Sequence, residues 1–291
     1  NSARQVFDKI LVRDIVSWNS LIGGYAEHGH GDDALECFEK MQLQGIMPNA
    51  VTLSFILKAC STVGATEKGQ EIHARMVVMG LLEGGAIAGS SLVNMYVKCG
   101  ALTKARNVFE NSFDRDVVSW NALIAGYAAH GQSEKIFFCL KCMPCEGISP
   151  DLITYVFGLK ACGNLQDNVE ILKILHAKAV TKGFEADPRI GSSLVDAYAK
   201  CGFLVESKQL IGNVPIQSTV LWNTLLAGYV EHGFSSEALQ CFEQMEDNGI
   251  LSSNASFTCC LKACGSTANF DKGLEIHGNI SLRGLEMDLL V

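Results

Sequence analysis

One stretch of sequence decides the fold, because it occurs three times at a constant spacing. Residues 17–29 read SWNSLIGGYAEHG, residues 119–131 read SWNALIAGYAAHG, and residues 221–233 read LWNTLLAGYVEHG. Each copy begins 102 residues after the one before it. The motif Lys-Ala-Cys recurs with the same period, at residues 58–60, 160–162 and 262–264. Motifs that share one period indicate a repeat protein.

Each 102-residue block divides into units of 35, 36 and 31 residues, which we name standard, long and short. The standard units are 15–49, 117–151 and 219–253; the long units are 50–85, 152–187 and 254–288; the short units are 86–116 and 188–218. Residues 1–14 match the end of a short unit, and residues 289–291 start a truncated one. We therefore expect one array, 1–291, that is a fragment of a longer array.

Each unit has the pattern of two antiparallel helices. Apolar residues from Trp18 to Tyr25 recur at intervals of three and four, which places them on one helical face. Gly29 provides the left-handed residue that ends a helix, and Asp32 or Asp33 can begin the next one. A single hairpin cannot bury its apolar face alone, so neighbouring units must stack. The sequence predicts an all-α protein, an α-solenoid of stacked helix-turn-helix repeats with a concave groove.

The composition excludes several classes of protein. Hydrophobic residues make up 48% of the chain and charged residues 19%, which excludes a disordered segment. The formal net charge of −8 argues against a strongly basic, non-specific nucleic-acid binder. The sequence contains no run of about 18 apolar residues that could span a membrane, so no membrane partner is expected. Most of the 12 cysteines recur at equivalent positions, which favours packing over disulfides or metal ligands.

Catalytic motifs are missing from the sequence. Zinc deaminases need His-x-Glu together with Pro-Cys-x-x-Cys, and His-x-Glu does not occur here. Cys139, Cys142 and Cys145 follow a Cys-x-x-Cys-x-x-Cys spacing, but no fourth ligand has zinc-like spacing, although His130 could lie close in space. We expect no enzymatic activity, no metal and no cofactor.

The units resemble the pentatricopeptide repeats (PPR) of plant organellar proteins, in the PLS subfamily that alternates standard, long and short units. The segments that carry the resemblance are VVSWNALIAGYAAHG (117–131), LKACG (159–163) and SSLVDAYAKCG (192–202). The resemblance implies a right-handed superhelix and location in a mitochondrion or chloroplast. The nearest alternative is the tetratricopeptide array, which binds peptides. That array has a glycine where this chain has Ile22, Ile124 and Leu226, and its units hold a constant length.

The resemblance further implies binding of single-stranded RNA, one base per unit. The fifth and last residues of a unit recognise the base through short polar side chains, and the second residue, branched and apolar, packs between bases. The implied base-reading residues are Asn19, Asn49, Ser90, Asp116, Asn121, Asp151, Ser192, Ser218, Asn223, Ser253, Thr258 and Asp288. The implied base-sandwiching residues are Val16, Val51, Ile87, Val118, Ile153 and Val220. Arg189 and Ala255 depart from the branched apolar type at this position.

Four pairs imply a particular base. They are Asn19 with Asn49 for a pyrimidine, Ser90 with Asp116 for guanine, Asn121 with Asp151 for uracil, and Asn223 with Ser253 for cytosine. The expected RNA site, read 5′ to 3′, is Y-n-G-U-n-n-C-n, where Y is a pyrimidine and n is any base. An asparagine near a helix start can instead cap the helix or bridge to the neighbouring unit, and both interpretations stay open.

Relatives with this order of units direct cytidine-to-uridine editing of organellar transcripts, through a C-terminal deaminase or a recruited one. The resemblance thus implies the targeting segment of an organellar RNA-processing factor, for C-to-U RNA editing, with accessory editing proteins as partners of the long units. Two alternatives stay open. One is a factor for RNA stabilisation, splicing or translation, and the other is a protein-binding helical-repeat scaffold.

Overall fold

The computed structural model describes residues 2–82, 86–112, 114–165, 169–213 and 218–282. These residues form 17 α-helices and no strand. The chain divides into two compact bodies, Asn1–Pro150 and Asp151–Val291, which we call the N-terminal and C-terminal bodies.

Nine helices belong to the N-terminal body and eight to the C-terminal body, over the described ranges. The helices of the N-terminal body are α1 Ser2–Asp8, α2 Ile15–Glu27, α3 Gly31–Leu43, α4 Ala50–Val63, α5 Thr66–Val78, α6 Ala86–Lys98, α7 Leu102–Asn111, α8 Val117–Ala129 and α9 Ser133–Cys145. Those of the C-terminal body are α10 Leu152–Asn164, α11 Val169–Thr181, α12 Pro188–Lys200, α13 Leu204–Asn213, α14 Thr219–Glu231, α15 Ser235–Asp247, α16 Asn254–Thr267 and α17 Phe270–Leu282.

Each unit contributes a first and a second helix. The even-numbered helices α2 to α16 are first helices, and each begins at the first residue of a unit drawn from the sequence. Within the N-terminal body α2, α4, α6 and α8 pack in succession, and within the C-terminal body α10, α12, α14 and α16 do the same. Each second helix packs against the first helix of its own unit. The predicted all-α fold of stacked helix pairs is confirmed.

The core of each body is formed by apolar side chains of both helices of the units, and it includes the recurring tryptophan of the first helices. Trp18, Trp120 and Trp222 expose only 2%, 3% and 5% of their surface. The rings of Phe7 and Phe109 meet Trp18 and Trp120 edge-on, at centroid distances of 4.7 and 4.6 Å. This edge-to-face geometry is favourable for aromatic pairs, so the recurring tryptophan is a packing residue.

The turn between the two helices of a unit depends on glycine. Gly29 has φ +82°, the left-handed conformation that glycine adopts without a steric penalty. The second helix of this unit then begins at Gly31, so the predicted start at Asp32 or Asp33 is wrong by one or two residues. A Cβ at position 31 would lie 2.8 Å from the carbonyl oxygen of Ala59. Glycine therefore lets the start of α3 lie directly against α4.

The last residue of a unit caps the first helix of the next unit. Asn49 Oδ1 accepts the backbone N–H of Thr52 at 3.0 Å, and the Thr52 hydroxyl in turn accepts the backbone N–H of Asn49. This reciprocal arrangement, the capping box, satisfies N–H groups that the first turn of a helix leaves unpaired. The same arrangement begins α2, α8, α10 and α16. Where the structure describes the residue before a first helix, the cap therefore fixes where one unit joins the next.

Six of the cysteines at equivalent unit positions pack in the core, whereas Cys99 and Cys201 are only partly buried. Cys60 and Cys139 are buried, and burial raises the pKa of their thiols to about 11 and about 12. Cys145, at the end of the Cys-x-x-Cys-x-x-Cys segment, is exposed. Among the residues that the structure describes, no cluster of His, Cys, Asp and Glu is arranged to hold a metal ion. Over the same residues, no helix has the length and apolar character needed to cross a bilayer.

Candidate nucleic-acid interface

An exposed apolar side chain is found at the second residue of six units. In the N-terminal body the exposed fractions are 65% for Val16, 50% for Val51, 74% for Ile87 and 57% for Val118. In the C-terminal body they are 47% for Ile153 and 72% for Val220. Valine and isoleucine are usually buried, so exposure at the same place in six units points to a binding surface.

These side chains lie at the N-terminal ends of the first helices, because the second residue of a unit is also the second residue of α2, α4, α6, α8, α10 or α14. Successive first helices pack side by side within each body, and hydrogen bonds join the start of α2 to the start of α4 and the start of α14 to the start of α16. Their N-terminal ends therefore line one edge of each body. Arg189, which takes this place on α12, is also exposed and pairs with the carboxylate of Asp187 at 2.9 Å.

The pair of Asn19 and Asn49 lies next to this apolar row, in the N-terminal body. Asn19 Nδ2 donates to Asn49 Oδ1 at 3.3 Å. Asn19 Oδ1 accepts the hydroxyl proton of Thr52 at 2.6 Å. Asn19 is partly exposed and Asn49 is exposed, so both amides can be reached from solvent.

The pair of Asn223 and Ser253 repeats this arrangement in the C-terminal body. Asn223 Nδ2 donates to Ser253 Oγ at 2.9 Å, and Asn223 Oδ1 accepts from Ser256 Oγ at 2.6 Å. Ser253 also caps α16. Both asparagines therefore bridge to the neighbouring unit. Bridging was one of the interpretations that the sequence left open. Bridging uses one proton of each Nδ2 group and leaves the second proton available to a ligand.

The third asparagine of this type, Asn121, belongs to the N-terminal body, and the residue paired with it in the sequence, Asp151, belongs to the C-terminal body. Asp151 caps α10 through the backbone N–H of Thr154 at 2.9 Å. Asp116 and Ser218 cap α8 and α14 in the same way. Asp288 lies outside the described residues.

Hydroxyl side chains at the fifth position face their own helix. Ser90, Ser192 and Thr258 donate to the carbonyl oxygens of Ile87, Arg189 and Asn254 at 3.1, 3.1 and 2.8 Å. Ser90 is only 8% exposed, whereas Ser192 and Thr258 are partly exposed. These hydroxyls keep acceptor capacity but have used their single proton, unlike the asparagine amides.

Several basic side chains near the first helices already have acidic partners. Lys200 Nζ lies 2.9 Å from Asp196, and Lys58 Nζ lies 2.5 Å from Glu27. Lys98, at the C-terminal end of α6, is exposed. Ion-paired cations are less available to neutralise phosphates than free ones. The groups that the first helices present for binding are thus mainly apolar side chains and amides, with few unpaired positive charges.

Sequence reasoning did not find Thr52 and Ser256 as part of the candidate site. Both are fully buried, and their hydroxyls lie between the cap and the asparagine of the preceding unit. Their signal was present in the sequence, since Asn49-x-x-Thr52 and Ser253-x-x-Ser256 have the spacing of a capping box. The cap predicts a bond to the backbone, but only the structure shows the second bond across the unit boundary.

Comparison with known proteins identifies the type of repeat. The sequence profile of the PPR repeat family matches residues 13–62, 115–164 and 217–266, which together make up half of the chain. Each matched segment covers the first helix of a standard unit and, to within one residue of its end, that of the following long unit.

Two relatives from Arabidopsis thaliana are 35% identical to this chain. One is the chloroplastic pentatricopeptide repeat-containing protein At4g18520, matched over 91% of this chain and 43% of its own length. The other is the mitochondrial pentatricopeptide repeat-containing protein At3g02330, matched over 94% of this chain and 32% of its own length. The chain thus spans less than half the length of either relative.

The fold is also similar to that of solved structures. The crystal structure of the pentatricopeptide repeat protein PPR10 in complex with an 18-nt psaJ RNA element superposes with a TM-score of 0.83 at 19% identity, over 98% of this chain and 43% of PPR10. PPR10 from maize, in another crystal structure, gives a TM-score of 0.65. With the profile matching each 102-residue block and the helix pairs stacking as they do in PPR10, the chain belongs to the pentatricopeptide repeat family.

Proposed function

We propose that the chain binds single-stranded RNA in a sequence-dependent manner, with one base per unit, as the targeting segment of an organellar RNA-processing factor. The observation that carries this proposal is made at the start of the first helices of two standard units, where an exposed branched apolar side chain lies beside a polar pair formed by the fifth and last residues of the unit. Val16 beside Asn19 and Asn49 is one example, and Val220 beside Asn223 and Ser253 is another.

The chemistry of these groups fits an unpaired base. A base that is not in a duplex exposes two apolar faces and a hydrogen-bonding edge. Val16 and Val220, exposed by 65% and 72%, offer apolar contact to the faces. The remaining Nδ2 proton of Asn19 or Asn223 offers a donor to the edge. A duplex would hide both features, so the groups favour single strands.

The comparisons support the same proposal. PPR10 is a family member whose crystal structure contains an 18-nt RNA element. The relatives At4g18520 and At3g02330 are chloroplastic and mitochondrial proteins, which supports an organelle as the place of action.

The alternating unit lengths of 35, 36 and 31 residues support membership of the PLS subfamily and, through it, a role in C-to-U RNA editing. In this role the chain selects the transcript, and the deamination is carried out by another domain or a partner protein. The long units are the expected contact for accessory editing proteins.

The proposal is tested by measuring the binding of fluorescein-labelled oligonucleotides to the purified chain by fluorescence anisotropy. A single-stranded RNA of the form Y-n-G-U-n-n-C-n is expected to bind more tightly than the same RNA annealed to its complement, and more tightly than a scrambled RNA of equal composition. Equal affinity for all three RNAs, together with tight binding of a peptide library, would favour a protein-binding scaffold and overturn the proposal.

A further inference from the structure

Two buried hydroxyl residues, Thr52 and Ser256, lie directly behind the base-reading asparagines. We propose that they are positioning residues: each holds the amide of the asparagine 33 residues before it in one orientation, so that the amide presents an N–H donor to the base. Recognition by a standard unit then depends on three residues, of which one belongs to the next unit. This inference rests on the proposed function. Thr52 and Ser256 are 0% exposed, so neither side chain contacts a base itself.

The orientation of Asn19 follows from the backbone. The N–H of Thr52 can only donate, so the Asn49 atom that it meets at 3.0 Å is the oxygen, Oδ1. The Asn19 atom that lies 3.3 Å from this oxygen must then be the donor, Nδ2. Asn19 Oδ1 is left facing Thr52 Oγ1 at 2.6 Å. The hydroxyl oxygen of Thr52 accepts the backbone N–H of Asn49 at 3.2 Å. Its own proton has two acceptors in reach, Asn19 Oδ1 at 2.6 Å and Asn49 Oδ1 at 3.0 Å, and the shorter distance favours Asn19.

The same network recurs around Asn223. Ser256 Oγ accepts the backbone N–H of Ser253 at 2.9 Å and donates its own proton to Asn223 Oδ1 at 2.6 Å. Asn223 Nδ2 donates one proton to Ser253 Oγ at 2.9 Å. The second Nδ2 proton is then the group that remains for a base. In the sequence, Thr154 follows Asn121 at the same spacing of 33 residues.

A unit without the asparagine provides the contrast. Ser119 occupies the same helix position as Ser256 and accepts the backbone N–H of its cap, Asp116, at 3.1 Å. Its own proton, however, goes to the carbonyl oxygen of Asp116 at 2.8 Å, and the preceding unit has Ser90 at its fifth position. The hydroxyl therefore supports a capping box in either case, but it reaches across the unit boundary where an asparagine is present.

The consequence concerns the choice between bases. Without the Ser256 hydroxyl, the Asn223 amide can rotate by about half a turn and present its oxygen instead of its N–H. The edge of guanine offers two donors, N1–H and the N2 amino group, whereas cytosine offers the acceptors O2 and N3. Loss of the hydroxyl should therefore weaken the preference for cytosine over guanine opposite unit 219–253.

The test measures dissociation constants for two single-stranded RNAs that differ only by cytosine or guanine opposite unit 219–253. Ser256→Ala is expected to lower the guanine-to-cytosine ratio of dissociation constants by about threefold to tenfold, the worth of one hydrogen bond. Ser256→Thr keeps the hydroxyl and is expected to keep the ratio. Ser119→Ala removes the equivalent capping hydroxyl without touching an asparagine, so it is the matched control and is expected to keep the wild-type ratio.

A second pair of variants covers the case in which Ser256→Ala fails to fold. Thr52→Val and Thr52→Ser are compared with RNAs that carry a pyrimidine or guanine opposite unit 15–49, and only the valine variant should lose preference. An unchanged ratio in Ser256→Ala or Thr52→Val, or an equal loss in Ser119→Ala, would overturn the positioning role alone. A wild-type chain that shows no preference at either unit would instead overturn the proposed function on which the role depends.

Discussion

At the scale of single residues, the recurring tryptophan shows how packing outweighs a lost hydrogen bond. Trp120 is 3% exposed, and its indole N–H has no hydrogen-bond partner within the described part of the chain. The same holds for Trp18 and Trp222. A buried unpaired donor costs about 1–3 kcal/mol, while truncating a buried aromatic ring costs about 3–5 kcal/mol. The contact with Phe109 at 4.6 Å therefore matters more than the polar end of the ring.

We predict that Trp120→Ala lowers the free energy of unfolding by about 3–5 kcal/mol, and that Trp120→Phe lowers it far less. Phenylalanine keeps the ring contact and removes the unpaired N–H. Urea denaturation followed by circular dichroism measures both values. If the phenylalanine variant is destabilised as strongly as the alanine variant, the indole N–H must make an interaction that this account leaves out.

The sequence alone predicted part of this residue-level picture. Trp18 and Asn19 could be assigned to a buried and an exposed role, because Trp18 falls on the apolar face that helical spacing defines and Asn19 holds the fifth position of its unit. Thr52 was not found, because its second hydrogen bond runs to a residue 33 positions away, and spacing within one helix carries no information on such a bond. The burial of Ser90 was likewise not predicted, since it depends on how the neighbouring units pack.

At the scale of helices, a histidine joins the second helix of a long unit to the first helix of the short unit that follows, in units 50–85 and 152–187. His73 Nδ1 on α5 lies 2.9 Å from the Tyr96 hydroxyl on α6, and His176 Nδ1 on α11 lies 3.0 Å from the Tyr198 hydroxyl on α12. Burial lowers the pKa of both histidines below the usual 6.5. The folded state therefore favours the neutral imidazole.

This preference predicts a pH dependence of stability. Because the unfolded chain binds the proton more readily, the contribution of His73 and His176 is fully present above pH 6.5 and is lost as the pH falls through their lowered pKa values. The Tm should therefore fall between pH 7 and pH 5, and it should fall less in a His73→Gln, His176→Gln double variant. Calorimetry at a series of pH values checks this, and an identical slope in both proteins would contradict it.

At the scale of the whole molecule, the net charge of −8 bears on how strongly the proposed RNA binding depends on salt. Affinity for nucleic acid usually depends on neutralised phosphates, and each contact to a single strand contributes about −0.7 to the slope of log K against log salt. Lys200 and Lys58 are ion-paired, and Arg189 is paired with Asp187. We therefore expect apolar and amide contacts to carry a large share of the binding energy in the proposed complex with RNA.

We predict a salt slope shallower than about −3 for the chain with its single-stranded RNA, which corresponds to roughly four phosphate contacts. Anisotropy titrations from low to high potassium chloride concentration measure it, with polyuridine as the control for non-specific binding. A slope near −7 would mean that phosphate contacts dominate, contrary to this account.

The most direct test of the central idea, one polar pair for one base, is to change the pair at a single unit and follow the preferred base. Ser253→Asp replaces the capping serine of α16 by the residue that already caps α8 and α10, so the fold should be retained. The pair opposite unit 219–253 then becomes Asn223 with aspartate, the combination found in unit 117–151. We predict that the preferred base at this one position changes from cytosine to uracil, while preferences at all other positions stay as in the wild type. A variant that keeps cytosine, or one whose preferences change at several positions together, would contradict the account.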